Sequence, residues 1–236
     1  MAPSSGNLFI ASLSPLGSEL LLSRSIAVAL PLRTVLYSAE VTPTYAYFMT
    51  SGLASVVTTM AEGDSAELGV IGREGIVGSL HLLGPAHVPN HCFMQVEGSA
   101  LRISFTDLQK AFRSSAEIRE RILEFVQEQA LCLGQVAVCH RLHDAEERLA
   151  CWLLIVQDRT QSDILSLTQE FLAEMLGAQR TTVTMVAGTL QRSGLIEYRR
   201  GHVKILNRES LEAAACGCYQ ITKQLYNNLY KLPVPD

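Results

Sequence analysis

The sequence lacks a long hydrophobic run, and it lacks the positively charged start of a secretory signal. Its longest uninterrupted apolar run is Leu149 to Val156, far shorter than the roughly 20 residues that a helix needs to cross a bilayer. The stretch from Met1 to Gly6 contains no lysine or arginine, unlike the first region of a signal peptide. We therefore expect a cytoplasmic protein with no membrane partner.

Closely spaced cysteine motifs are also missing. The six cysteines are scattered without a CxxC pair, and the tightest pair is Cys216 with Cys218. A chain of this length needs no disulfides to fold, so free thiols in a reducing compartment are expected. A CxC pair without further ligands is a weak metal signal, and Pro89 keeps His87 and His91 from sharing a helical face. The sequence therefore predicts no metal site.

The chain has no excess of positive charge. Its 236 residues carry a formal net charge of −4, and 48% of them are hydrophobic and 18% charged. This composition supports a buried core and differs from that of disordered chains. The length fits two domains of roughly 100 residues each. Binding to a nucleic acid would therefore require a local cluster of basic residues.

Short β-prone segments fill the chain up to about residue 106. Runs rich in Val, Ile, Tyr and Phe are separated by turn signals such as Thr42-Pro43 and Glu62-Gly63-Asp64. Strands at this spacing are typical of antiparallel barrels and rolls. We predict an α+β fold whose N-terminal part is an antiparallel, jelly-roll-like β-roll. One helix, near Gly17 to Arg24, is predicted to precede the strands. The predicted strands are 33–37, 45–49, 53–60, 66–71, 92–96 and 100–104.

After residue 106 the apolar pattern becomes helical. Ser114 with Glu117 resembles a capping box, and an apolar stripe follows at three- and four-residue intervals. A helix of this length needs a second surface for its stripe, either its own domain or a twin helix in a coiled-coil dimer. We favour the homodimer. The predicted dimerisation residues are Ile118, Ile122, Phe125, Gln129, Leu133 and Val136.

These patterns divide the chain into three parts. The predicted parts are a β-roll at 1–113, a dimerisation helix at 114–143 and a C-terminal domain at 144–236. The last part begins with a second capping arrangement, Asp144 with Glu147. A C-terminal helix over about 210–230 is predicted to end before Pro233 and Pro235.

Residues 165–206 predict two short helices joined by a tight turn. Thr168 is a natural N-cap, and Gly177 can adopt the positive φ that the turn requires. The second helix, from about Gln179 to Arg192, has one apolar face and one polar, cationic face. Such a pair has the geometry of a helix-turn-helix. The inward residues are Val183, Val186, Ala187 and Leu190, and the outward ones are Arg180, Thr181, Thr184 and Gln191.

A hairpin with a cationic tip follows the helix pair. Residues 195–198 and 203–206 alternate as strands around Arg199-Arg200-Gly201-His202, which predicts a wing. Six basic residues and one acidic residue give 177–208 a net charge of +5 and leave −9 for the rest of the chain. A polyanion would bind this end and be repelled elsewhere. The alternative interpretation is a solvated basic face on a structural helix pair.

This C-terminal segment resembles the winged helix-turn-helix of the Crp/Fnr transcription regulators. The resemblance rests on Thr168-Gln169-Glu170-Phe171-Leu172-Ala173, Gly177, Arg180-Thr181-Thr182-Val183, Gly194-Leu195-Ile196 and the helix entry from His143 to Leu153. The order of parts, a β-roll, a long helix and a DNA-binding domain, is also similar. The resemblance implies a bacterial homodimer that binds a palindromic operator in double-stranded DNA, acts with RNA polymerase and is not an enzyme.

By position in this motif, Arg180 is expected to contact a guanine edge in the major groove. Thr181 and Thr184 would face bases or phosphates beside it. Gln179 stands where the family often has serine, which predicts a weaker N-cap. Thr181 stands where the family often has glutamate, which would accept a hydrogen bond from cytosine, so the operator sequence is expected to differ. The full set of predicted DNA contacts is Thr168, Gln169, Gln179, Arg180, Thr181, Thr182, Thr184, Arg199, Arg200, His202 and Lys204.

The β-roll sequence lacks one contact that cyclic nucleotide-binding members of the family use. Those members pair an arginine with the cyclic phosphate, but no arginine occurs between Arg73 and Arg102. Ser79 stands where an acidic residue is expected. We therefore predict no cofactor and expect no cyclic nucleotide. The candidate effector residues are Gly72, Arg73, Glu74, Gly78 and Ser79, although the glycines in this stretch would also suit turns of the roll.

The leading hypothesis is a dimeric, sequence-specific DNA-binding regulator, controlled by an effector at the roll or by protein level. Two alternatives stay open. One is a ligand-binding β-roll module whose C-terminal domain binds a protein partner. The other is a cupin-like enzyme, which would need clustered His and Glu ligands on paired strands; the sequence offers no such cluster.

Overall fold

The structure is a computed structural model that describes residues 6–63, 65–84 and 88–230. Two short helices come first, α1 (Leu8–Ala11) and α2 (Pro15–Leu22). Helix α2 is the predicted lead helix, and it starts early because the Ser14 hydroxyl accepts the Gly17 amide and proline occupies the first turn. The predictions made on Asp64, His87, Pro233 and Pro235 lie outside the described residues.

An antiparallel β-roll follows, as the sequence predicts. Its sheet order is β1-β6-β3-β4, with β2 paired to β6 and β5 paired to β3. Every pairing is antiparallel. The strands are β1 (Ser25–Leu30), β2 (Val35–Tyr37), β3 (Tyr45–Thr59), β4 (Ser65–Ile71), β5 (Ile76–Val77) and β6 (Asn90–Ser104), and a 3₁₀ turn lies at Ser79–Leu82.

Strands β3 and β6 each run for 15 residues where the sequence predicts two shorter strands. The gaps between the predicted strands 45–49 and 53–60 and between 92–96 and 100–104 imply turns at Gly52 and Gly98. Both glycines instead lie inside the longer strands, at a point where the register shifts. A Cβ on Gly52 would lie 2.6 Å from the Val96 carbonyl oxygen, and one on Gly98 would collide with the Ser51 carbonyl. Both glycines therefore allow two backbones to approach closely, and they do not end the strands.

Two helices lead from the roll to the C-terminal domain, α3 (Phe105–Ser114) and α4 (Ala116–Leu142). The prediction that Ser114 begins the long helix is wrong. Ser114 ends α3, and Ser115 is the N-cap of α4 because its hydroxyl accepts the Ile118 amide. Glu117 accepts a hydrogen bond from the Ser14 hydroxyl and does not complete a capping box.

Helix α4 is, among the described helices, the one whose length and composition would allow it to span a membrane. Its mean hydropathy over the most apolar 18 residues is 1.2. The first half of the helix nevertheless belongs to the core of the roll, where Ile118, Ile122 and Phe125 are fully buried. Its hydropathy therefore combines an inner face packed on the roll with apolar residues at the surface of the second half.

The C-terminal domain combines helices with a three-stranded sheet in the order β7-β9-β8. Asp144 and Glu147 form the predicted capping box at its start. The predicted single C-terminal helix is two helices, which are separated near Gly217. The elements are α5 (Ala145–Thr160), β7 (Ile164–Ser166), α6 (Gln169–Leu176), α7 (Arg180–Arg192), β8 (Ile196–Arg199), β9 (His202–Ile205), α8 (Arg208–Ala214) and α9 (Cys218–Tyr230).

The roll and the C-terminal domain share a hydrophobic core. Four buried residues of the roll cluster with the buried faces of α5, α6 and α7; they are Leu53, Val57, Val70 and Phe93. A second cluster lies inside the roll and includes the first half of α4. The C-terminal domain therefore packs directly on the roll, with its helices α5 and α6 against strands β3 and β4.

Candidate nucleic-acid interface

Helix α6 begins where the sequence predicts. The Thr168 hydroxyl accepts a hydrogen bond from the Phe171 amide at 3.2 Å, which satisfies one of the free amides of the first turn. Thr168 is exposed and Gln169 is half-buried, so the start of α6 lies at the surface. The opposite face of the helix is buried in the shared core through Phe171, Leu172, Met175 and Leu176.

Gly177 forms the turn between α6 and α7. Its φ is +54°, in the left-handed region that favours glycine. The Ala178 amide then donates to the Ala173 carbonyl oxygen at 3.0 Å, which closes the end of α6. This turn fixes the direction in which α7 leaves.

Helix α7 has the two faces that its sequence predicts. Its inner face packs in the shared core through Val183, Val186, Ala187 and Leu190, all buried. Arg180, Thr181 and Thr184 are exposed, and Thr182 is half-buried. Gln179 is the N-cap but makes no side-chain cap hydrogen bond. The first turn of α7 therefore presents free amide groups and a guanidinium group to solvent.

Thr184 connects the two helices of the motif. Its hydroxyl oxygen lies 3.0 Å from Gln169 Oε1 and 2.9 Å from the Arg180 carbonyl oxygen. Gln169, Arg180 and Thr184 therefore lie side by side on one surface. This contact joins the start of α6 to the first turn of α7, both of which belong to the predicted DNA contacts.

Met185 lies on the same outer face, and our sequence reasoning missed it. Its side chain is 62% exposed. The position follows Thr181 by four residues, so the helical period could have identified it. An exposed apolar side chain at this place can contact the methyl group of thymine.

The predicted wing is the hairpin of β8 and β9. Arg200 and Gly201 form its two-residue turn, with φ of +50° and +78°, as a type I′ turn requires. The Tyr198 amide donates to Gln191 Oε1 at 2.8 Å, which attaches the wing to the end of α7. The exposed cationic or polar side chains of the wing are Arg199, Arg200, His202 and Lys204.

The basic surface is smaller than the sequence count suggests. Arg208 pairs with Asp158 at 2.7 Å and with Glu212 at 2.9 Å, so its charge is compensated inside the domain. The cations that remain exposed on α7 and the wing are Arg180, Arg192, Arg199, Arg200 and Lys204. One exposed carboxylate, Glu197, lies among them. The net positive charge is therefore concentrated on α7 and the wing.

A buried carboxylate joins the two domains behind the motif. Glu67 on β4 accepts hydrogen bonds from Trp152 Nε1 at 2.7 Å and from the Ser55 hydroxyl at 2.6 Å. Burial raises the pKa of Glu67 to about 7, although both hydrogen bonds favour the ionised form. No sequence signal identified this contact, because its members come from three separate elements.

The prediction that Glu74 binds an effector is wrong. Its side chain is fully buried and forms an ion pair with Arg159 of α5, and Glu74 Oε1 also accepts the Gly72 amide. Arg159 Nη2 lies 4.0 Å from Glu128 Oε1 on α4. Burial lowers the pKa of Arg159 to about 10, so it stays cationic at neutral pH. Glu74 therefore connects the roll to α5.

The other candidate effector residues do not form one site. Gly78 and Ser79 line a cavity of about 170 Å³ between the roll and α4. Arg73 lines a different cavity, of about 390 Å³, between the roll, α5 and α9. Gly72 has no room for a ligand, because even a Cβ there would lie 2.8 Å from Glu74 Oε2. The structure thus separates residues that are neighbours in sequence.

The predicted dimerisation stripe faces mainly inward. Ile118, Ile122 and Phe125 are fully buried in the core of their own roll, so the prediction that they contact a partner is wrong. Gln129 and Val136 are half-buried, and Leu133 is exposed. The exposed large apolar side chains of α4 are Leu123, Leu131, Leu133, Val138 and Leu142; of these, Leu133 belongs to the predicted set.

Comparisons with known proteins match both halves of the chain. Residues 27–115 match the family model of the cyclic nucleotide-binding domain, and residues 147–214 match that of the Crp-like helix-turn-helix domain. Together the two models cover about two thirds of the chain. No curated protein matches the chain.

Several solved structures share the fold. FixK2 from Bradyrhizobium japonicum has a TM-score of 0.70 at 15% identity, over 82% of this chain and 98% of that one. The c-di-GMP-responsive global regulator CLP from Xanthomonas campestris has 0.67 at 20%, over 82% and 100%. TTHB099, a CRP-family transcriptional regulator from Thermus thermophilus, has 0.66 at 20%, over 80% and 96%. With both domain models in this order on the shared fold, the chain belongs to the Crp/Fnr family of DNA-binding transcription regulators.

Proposed function

We propose that the protein is a cytoplasmic homodimer that binds a palindromic DNA operator through α7 and its wing and acts there with RNA polymerase. The observation that carries the proposal is the exposed outer face of α7, where Arg180, Thr181 and Thr184 stand free of both the roll and the shared core. A guanidinium at the first turn of such a helix can donate two hydrogen bonds to a guanine edge. The cations of the wing would contact phosphates.

The outer face of α4 supports the homodimer. Three large apolar side chains on one side of its second half are exposed: Leu131 by 51%, Val138 by 45% and Leu142 by 70%. Exposed apolar surface of this extent on a long helix is costly in water and marks an interaction site. A second copy of α4 offers the matching surface, since two parallel helices bury such stripes against each other. The contacts of this dimer would be Leu123, Leu131, Val138 and Leu142, which share one side of the helix. Gln129, Leu133 and Val136 lie on the other side, where Gln129 and Leu133 line the cavity of the roll.

The effector of this regulator would bind between the roll and α4. The cavity there is lined by apolar side chains with a few polar groups, including Ser79, His81 and Gln129. Burial lowers the pKa of His81, so the ring is neutral at pH 7. No arginine or lysine is among the described lining residues, and the volume is small for a drug-sized ligand. These features favour a small uncharged molecule over a cyclic nucleotide.

Selection of DNA sequences by the purified protein tests the main proposal. A pool of random duplexes is bound, recovered and sequenced over several rounds, and the selected site is then footprinted. We expect a palindrome whose half-sites are about 10–10.5 bp apart, or a multiple, because a twofold dimer places its two α7 helices in successive major grooves. Recovery of no consensus, or of one unsymmetrical half-site, contradicts the proposal.

Calorimetric titration with cyclic AMP and cyclic GMP tests the effector part. We expect no heat of binding from either nucleotide, since no described lining residue of the cavity offers a cation for the phosphate. Stoichiometric binding of either nucleotide would refute the proposal of a small uncharged effector. The DNA-binding proposal is tested separately, by the selection experiment.

A further inference from the structure

Four potential metal ligands meet at the base of the DNA-binding domain. Cys139 and His143 lie four residues apart, in the last turn of α4 and at its C-cap. Cys216 lies between α8 and α9, and Cys218 is the first residue of α9. The ligand atoms of these four residues all lie within 4.8 Å of one another. Only folding brings the two pairs together.

The distances fit a tetrahedral metal ion. Cys139 Sγ lies 3.5 Å from Cys216 Sγ, and Cys218 Sγ lies 3.4 Å from His143 Nδ1. With zinc–sulfur bonds of about 2.3 Å, neighbouring ligand atoms of a tetrahedral site are about 3.8 Å apart. A disulfide requires sulfurs about 2.05 Å apart, and the cysteines here are free.

The surroundings suit charged sulfur ligands. Gln135 Nε2 donates a hydrogen bond to Cys218 Sγ at 3.0 Å, and the backbone amide of Cys218 donates to the Cys216 sulfur. The guanidinium of Arg148 interacts electrostatically with Cys139 and Cys216. Donors and a cation around the sulfurs would offset the negative charge of bound thiolates, as outer contacts of metal sites commonly do.

We propose that this cluster is a structural zinc site with Cys139, His143, Cys216 and Cys218 as its ligands. Three thiolates and one imidazole are a donor set that zinc takes in closed tetrahedral sites. The three cysteines are buried, whereas His143 is half-buried. The ion can therefore reach the site from the side of His143. Binding converts three thiols to thiolates and releases their protons to solvent.

The ion would link the two ends of the DNA-binding domain. The chain enters this domain after His143 and returns at Cys216, 77 residues beyond Cys139. A bond across these two points restricts the passage from α4 to α5 and holds the start of α9 against α4. Closing a long loop restricts the unfolded chain most, so zinc would stabilise the C-terminal domain. It would do so without contacting DNA. Sequence reasoning did not identify this cluster, because its two ligand pairs lie in separate segments.

Metal analysis of the full chain tests the proposal. The protein is purified without chelator, and its zinc content is measured by mass spectrometry together with that of His143→Gln, Cys216→Ser and the control Cys132→Ser. Cys132 lies on α4 outside the cluster. We expect one zinc per chain in the wild type and in Cys132→Ser, and loss of stoichiometric zinc in the other two. Cobalt exchanged into the wild type should show thiolate charge-transfer bands and the intense visible bands of a tetrahedral ion.

Three results would overturn the zinc site. They are absence of zinc both in the purified protein and after dialysis against zinc, equal zinc content in wild type and both cluster variants, and a Cys139–Cys216 disulfide in freshly isolated protein. Circular dichroism establishes that each variant is folded, and the half-exposed His143 is the substitution that least disturbs the core. Zinc content does not depend on DNA, so failure here leaves the proposed operator binding untouched.

Discussion

Arg180 and Glu67 show how the surroundings of a single charged residue decide what it can do. Arg180 is exposed on the outer face of α7 and remains free for a ligand. Glu67 is buried between the two domains and is occupied by Trp152 and Ser55. The first residue is therefore available for the proposed DNA contact, and the second belongs to the junction behind it.

Replacement of Arg180 should reduce sequence selectivity. We compare the affinity for the selected operator with the affinity for a copy in which the contacted guanine is changed. Arg180→Ala is expected to reduce this discrimination by about 1–3 kcal/mol. Arg180→Lys keeps the charge but loses the bidentate contact, so selectivity should fall while general affinity is retained. Competition binding followed by fluorescence anisotropy measures both.

Arg192→Ala is the matched control for this experiment, since Arg192 is an exposed cation at the other end of α7. It should weaken binding to all duplexes alike. If Arg180→Ala retained the wild-type affinity ratio, Arg180 would have no role in reading the operator.

Glu67 should make stability depend on pH. Its pKa is raised in the folded state, so the folded protein binds this proton more tightly than the unfolded chain does. The free energy of unfolding should therefore fall as pH rises from about 4.5 to about 7, by up to about 3 kcal/mol from this group. Glu67→Gln retains an acceptor for Trp152 but does not titrate, so this part of the dependence should vanish.

Urea unfolding at about pH 5 and about pH 8 measures the effect. Glu120→Gln, on an exposed part of α4, is the control and should follow the wild type. An identical pH dependence in Glu67→Gln and the wild type would show that Glu67 does not titrate between these values.

At the scale of elements, α4 has apolar residues on two faces with different roles. The face with Ile118, Ile122 and Phe125 completes the core of the roll. The face with Leu131 and Val138 is about half exposed, at 51% and 45% for these two side chains. One helix can therefore stabilise its own domain and still offer a surface to a second copy.

A charge on the outer face of α4 should dissociate the proposed dimer. Leu131 is 51% exposed, so Leu131→Glu should leave the fold of the monomer intact. In the dimer it would bring like charges together in an apolar interface, and we expect the dissociation constant to rise at least about tenfold. Sedimentation velocity over a range of concentrations measures this change.

Leu16→Glu provides the comparison, because Leu16 is also strongly exposed but lies on α2, which contacts α4 at Glu117 in its first turn, far along the helix from Leu131. It should leave the association unchanged. Equal dissociation constants for Leu131→Glu and the wild type would exclude this face of α4 from the dimer.

At the scale of the whole molecule, the two domains are joined by an apolar core and by buried charges. The ion pair of Glu74 and Arg159 connects the roll to α5. The hydroxyl of Tyr230 donates to the Glu74 carbonyl oxygen, so the end of α9 also contacts the roll. These contacts hold the DNA-binding domain in a defined position on the roll.

Removing one partner of the buried ion pair should be costly. Arg159→Met leaves the carboxylate of Glu74 buried without its cation, and we expect a loss of about 3–5 kcal/mol in the free energy of unfolding. The double variant Glu74→Gln with Arg159→Met removes both charges and should recover much of that loss. Urea unfolding of the wild type, the single variant and the double variant measures these differences. A single variant as stable as the wild type would contradict this account, and so would a double variant as unstable as the single one.

The sequence by itself determined the elements whose causes are local. The cap at Thr168, the positive φ of Gly177, the two faces of α7 and the turn of the wing all depend on residues within a few positions of one another. Their pattern therefore predicted the helix-turn-helix and its exposed residues before any tertiary contact was considered.

Tertiary structure alone decided which surfaces meet. Helix α4 is apolar on more than one side, and periodicity cannot say which side its own roll covers, so the buried side was mistaken for the dimer side. The burial of Glu74 against Arg159 and the meeting of Cys139 with Cys216 join segments 85 and 77 residues apart. Pairings over such distances depend on how whole domains pack, and no local pattern of residues records them.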